Sequence, residues 1–182
     1  NAKWRFTENY IVDTANSHNL TDSFIRATLA NAVGKWNVAS GRAVIKPEVA
    51  GVVDGADLTL PDTKNEVMFG TINVPGAIAV NTVWGYFGGS PKDREIFEWD
   101  LVFDNTDYNW TSNANIETNK MDFENIATHE LGHAMGMADL YSSGCSPVTM
   151  YGYSNYGETN KRTLEDGDIN GVKALYKGAI LY

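Results

Sequence analysis

One cysteine, three histidines and five prolines in 182 residues are the scarcities that first bound this chain. The lone Cys145 has no partner for an internal disulfide, so the fold must hold without covalent staples. Cysteine usage leaves the compartment open. Basic residues are also few: 14 Lys+Arg stand against 23 Asp+Glu, for a net charge of −9, and no basic cluster occurs. This balance speaks against a phosphate backbone or an anionic membrane surface, so neither a nucleic-acid nor a membrane partner is expected. No apolar run approaches the roughly 20 residues a membrane helix needs. Repeats, low-complexity tracts and Pro/Ser-rich linkers are missing too, so residues 1–182 read as one domain. With no positive-then-apolar segment after Asn1, the sequence reads as a processed mature chain.

What is present is enough apolar material for a core: 43% hydrophobic residues, 12% of the chain aromatic. Phe24, Ile25, Thr28, Leu29, Ala32, Val33 and Trp36 recur at helical spacing. Thr21 is placed to cap that helix, and Gly41 to end it. Residues 4–12 ahead of it read as a strand. The middle third predicts strands over 43–49, 66–72, 77–87 and 95–103, separated by Gly, Pro and Asp clusters. In the last of these Phe97, Trp99, Leu101 and Phe103 alternate with Glu98, Asp100, Val102 and Asp104, the pattern of a half-buried strand. Two helices follow, one from about 119–122 to Gly136, the other from Thr163 with Asp166 completing a capping box. Strands first and helices later make an α+β domain.

The chemistry concentrates in His129-Glu130-Leu131-Gly132-His133. Four residues are a little over one helical turn, so both imidazoles lie on one face and can share a tetrahedral ion. Glu130 borders that face, within reach of a water on the metal. The segment continues Ala134-Met135-Gly136-Met137-Ala138-Asp139. In an unbroken helix position 139 would lie about 240° round from His133, facing away. Gly136 is suited to end the helix and turn the chain back, bringing Asp139 to the ion. Asp139 is the preferred third ligand; His18, Cys145 and Glu158 are the alternatives.

H-E-x-x-H-x-x-G-x-x-H/D followed by a methionine turn resembles the signature of metzincin metallopeptidases. Asp139 in the last position is similar to the small secreted bacterial snapalysin type. The remainder resembles the matrixin catalytic domain. Val148-Thr149-Met150-Tyr151-Gly152 resembles its methionine turn, with Met150 beneath the metal. The stretch from Glu165 to Tyr176 resembles its final helix, and Lys3-Trp4-Arg5-Phe6 its first strand.

The resemblance implies a metzincin zincin-like fold: a mixed twisted sheet, an active-site helix and a C-terminal helix, with subdomains of about 1–136 and 137–182. It implies one catalytic Zn²⁺ on His129, His133 and Asp139, and Glu130 as general base. The implied protein is a secreted, monomeric endopeptidase acting on peptide or protein substrates. Substrate would lie along Ala77, Ile78, Ala79 and Val80, with Tyr151, Gly152 and Tyr153 as the opposite wall. Val102 stands where a structural-zinc histidine is expected, so no second zinc is predicted. Asp104 and Asp107 match the spacing of a Ca²⁺ pair, although without further loop ligands they also read as a solvated turn. Extra residues fall at 85–94, and no cysteine-switch propeptide or second domain is expected. Two other readings stand beside this one: a zinc hydrolase or exopeptidase of narrow specificity, and a catalytically silent metal-binding module, against which Glu130 argues. The five tryptophans read as core or half-buried sheet residues, and Cys145 as a packed free thiol.

Overall fold

A computed structural model describes residues 2–55 and 59–179; Asn1, residues 56–58 and residues 180–182, which the single-domain expectation includes, lie outside them. The apolar stripe near the N-terminus becomes α1 (Asp22–Ser40), burying Ile25, Leu29, Ala32, Val33 and Trp36. Thr21 caps it by accepting the Phe24 N–H, a contact worth about 1 kcal/mol. Gly41 closes it with φ 72°, donating to the carbonyls of Asn37 and Val38.

The strand predicted over 4–12 is two strands, β1 (Lys3–Trp4) and β2 (Glu8–Val12), which occupy different places in the sheet. Trp4 explains the break. Its indole donates to the Ala134 carbonyl at 2.7 Å and its backbone N–H to the Tyr176 hydroxyl, which ties β1 to helices while β2 pairs elsewhere. The other strands are β3 (Ile45–Glu48), β4 (Glu66–Gly70), β5 (Ala79–Tyr86) and β6 (Glu95–Asp104). β2 lies between β3 and β4, β4 and β1 pair with successive stretches of β6, and all these pairings are parallel. β5 runs antiparallel to β6 and, among the described residues, pairs with nothing else. Its outer edge is therefore unpaired. A small parallel pair, β7 (Trp110–Thr111) and β8 (Met121–Asp122), leads into α2 (Phe123–Ala134). The last helix is α3 (Asp166–Tyr176).

β6 departs from its expected half-burial. Glu98, Asp100, Val102 and Asp104 are as buried as the apolar set. Backbone N–H groups make this tolerable: Glu98 accepts from Asp62 and Thr63, Asp100 from Glu66, and Asp104 from Ile72, Thr106 and Asp107. The chain flanking β4 thus covers a face that alternation alone would leave to water. The opposite face carries the core, where Phe69, Phe103, Trp110 and Phe123 pack with ring centroids 4.8–6.2 Å apart. Trp4, Trp36, Trp99 and Trp110 are buried; Trp84, on edge strand β5, is half-buried. The predicted capping box also shifts. Thr163 closes a 3₁₀ turn (Asn160–Arg162), and α3 is capped two residues later by Glu165 with Asp168 as its reciprocal partner. Among the described residues no helix is long and apolar enough to cross a membrane.

Candidate metal centre

α2 starts where Asp122 accepts the Asn125 N–H at 2.8 Å. It ends in a double turn: Gly136 N–H meets the His133 carbonyl at 2.8 Å, and Met137 N–H meets that of Gly132 at 3.0 Å. Gly136 has φ 89°, a conformation that only glycine adopts without strain, and from there the chain reverses as its sequence requires. The reversal carries Asp139 back to the helix face. Its Oδ1 lies 3.2 Å from His129 Nε2 and 3.5 Å from His133 Nε2.

Each imidazole is oriented by its other nitrogen. His129 Nδ1 lies 2.7 Å from the Thr149 carbonyl and His133 Nδ1 2.9 Å from that of Met137. Donation to those carbonyls places the proton on Nδ1 and leaves both Nε2 lone pairs facing Asp139. Asp139 Oδ1 is buried and has no hydrogen-bond partner. Two imidazole nitrogens and one such oxygen, all within 4.8 Å of one another, are the donor set of a tetrahedral divalent cation, zinc above all. Without a metal a proton takes that place. Burial works against a charged His133, but its hydrogen bond to the Asp139 carboxylate, the charge of Glu130 and the Met137 carbonyl outweigh it and raise its pKa to about 9. Asp139 also suffers from burial, yet His129 and His133 hold it well below the ordinary carboxylate range.

The predicted alternatives lie elsewhere. His18 sits beside Ser17 ahead of α1, Cys145 is half-buried in a 3₁₀ turn (Ser143–Cys145), and Glu158 is paired with Lys161. Met150 is buried beneath the site, against Gly132, where any Cβ would collide with its sulfur and with Trp36. The glycine inside the five-residue motif is therefore a packing requirement of the methionine turn.

A cleft of about 620 Å³ runs past His129, His133 and Asp139, with Glu130 in its wall. Ala77, Ile78, Ala79 and Val80 line one side, the first two just ahead of β5 rather than within it; Tyr151, Gly152 and Tyr153 line the other. Asp104 and Asp107 stand apart from this cleft. Both Asp104 oxygens accept backbone N–H groups, including that of Asp107, and Asp107 is exposed.

Three contributors escape a reading by motif. Asn81 ties β5 to α2 through the Glu130 carbonyl at 2.7 Å. Asp168 accepts the N–H groups of Thr149, Met150 and Glu165, clamping the methionine turn to α3. Tyr141 donates its hydroxyl to Asp139 Oδ2 at 3.0 Å. None of the three left a signal in the sequence, where the predicted capping box pairs Thr163 with Asp166 rather than with Asp168. A second acidic group, Asp54, Asp62 and Glu66, also comes together, and Lys64 already bridges its two aspartates at 2.8 and 2.7 Å.

Among known families, the model described as matrixin matches residues 85–177, just over half of the chain. No curated protein matches it.

Proposed function

Because the chain belongs to the matrixin family of zinc metallopeptidases, we propose that it is an endopeptidase in which Glu130 is the general base and His129, His133 and Asp139 hold the metal. The observation that carries the reading is the convergence of three ligand atoms in a cleft bordered by an unpaired strand edge. Zinc supplies Lewis acidity to the scissile carbonyl and acidifies water when bound. Glu130, buried at the cleft beside His129, takes the proton of the attacking water and passes it to the leaving amine. An extended peptide adds to the outer edge of β5, gaining backbone hydrogen bonds that do not depend on a chain end. That favours internal cleavage over trimming of termini. Tyr151 and Tyr153 form the facing wall. A carboxylate in place of a third histidine lowers the net charge of the loaded site from +2 to +1, as in other working zinc hydrolases with two histidines and a carboxylate. The similarity of the Asp139 motif to small secreted peptidases supports a location outside the producing cell.

Phenanthroline should abolish cleavage of casein and added zinc restore it, with internal fragments as the first products. Glu130→Ala should keep its zinc and lose about 10²–10⁴-fold in turnover. Activity indifferent to chelator, or an alanine variant of normal turnover, contradicts this mechanism; release of terminal residues alone supports the exopeptidase reading instead.

A further inference from the structure

We propose that Tyr141 is a positioning residue that keeps Asp139 to one metal-binding oxygen and so preserves an open coordination position; the proposal rests on the reading of Asp139 as a zinc ligand. The two carboxylate oxygens have different surroundings. Oδ1 is buried, without a hydrogen-bond partner, and faces both Nε2 atoms. Oδ2 accepts the Tyr141 hydroxyl at 3.0 Å. A carboxylate whose second oxygen is held by a donor binds through the first alone. If both bound, they would fill the fourth vertex, which a hydrolytic site leaves to water.

The phenol is held in place for this. Leu140 N–H bonds the Met150 carbonyl at 2.9 Å and Gly152 N–H bonds the Leu140 carbonyl at 3.0 Å, so Tyr141 crosses directly over Gly152. A Cβ at Gly152 would come within 2.5 Å of Tyr141 Cε1 and 3.1 Å of Asp139 Oδ1. The Tyr153 ring packs edge-on against Tyr141, with centroids 5.4 Å apart. Tyr141 is nevertheless 60% exposed. A residue kept for core packing would hide its ring; here the ring is in solvent and the hydroxyl is engaged with the ligand.

The test loads wild type, Tyr141→Phe and Gly152→Ala with Co²⁺ alone and records their visible spectra, alongside kcat, KM and thermal unfolding with zinc. Tyr141→Phe should fold normally, and its cobalt bands should weaken as Asp139 takes a second position. Its kcat should fall about tenfold with KM little changed. Gly152→Ala, which displaces the phenol without removing it, should give the same spectral change. A Tyr141→Phe spectrum and kcat superimposable on wild type overturn the role of Tyr141 while leaving the metal site standing. Failure of the wild type to bind Co²⁺ overturns both.

Discussion

Helix α2 and the segment 137–153 meet at the same three donor atoms and are held by different means. α2 buries ten of its twelve residues, is capped by Asp122 and is closed by its own glycine turn. In the segment that follows, only Thr149 and Met150 are buried, and Asp139 sits among half-buried and exposed neighbours. Its position depends on a short ladder between Leu140 and residues 150–152 and on the Asp168 carboxylate of α3. The two histidines are placed by their own helix, with the Thr149 carbonyl orienting the His129 ring. Asp139 depends on a distant helix.

The comparison can be broken from the loop side with the largest effect. Asp168→Ala strips a charged acceptor from three backbone N–H groups, so unfolding in denaturant should show a loss of about 3 kcal/mol. Zinc affinity should weaken while amide protection at residues 129–133 persists. Wild-type stability in this variant would mean that the loop holds itself. At the junction, Gly132→Ala pushes a methyl group into Met150 and Trp36 and should cost about 2 kcal/mol, read as a lower midpoint of unfolding. An unchanged midpoint would show that the methionine turn can retreat from the helix.

The smallest effect belongs to the far face of the sheet and sharpens the contrast. Burial, with Asp54 and Asp62 adding to it, raises the Glu66 carboxyl above its ordinary value. A group whose pKa is higher folded than unfolded favours the fold at low pH, and that contribution is lost as pH rises through the folded value. Glu66→Gln has no such proton to lose. It should be more stable than wild type by less than about 1 kcal/mol at neutral pH. The gap should close on acidification, followed as unfolding temperature against pH, with zinc affinity unaltered. A gap constant with pH would remove Glu66 as its source.

Local signals suffice where a single element decides the outcome. Thr21, Gly41 and Gly136 end their helices as their chemistry dictates, because caps depend on residues within one turn. Readings drifted where a partner from elsewhere intervened. Alternation along β6 implied a wet face, but backbone from around β4 supplies donors to its acids. Thr163 looked like a helix cap until Asp168, serving both Glu165 and the methionine turn, moved the start. Tyr141, two residues past Asp139, carried no motif; its role exists only because Gly152 lets the ring lie across it.

The order His129, Glu130, His133, Gly136, Asp139 was enough to set which side chains converge and where the helix must stop, since turn geometry and glycine's freedom act over a few bonds. Which oxygen of Asp139 faces the histidines, what seats Met150 beneath them and which strand edge borders the cleft were decided by packing between segments far apart in the chain. Such contacts depend on distances through space, which residue spacing does not encode.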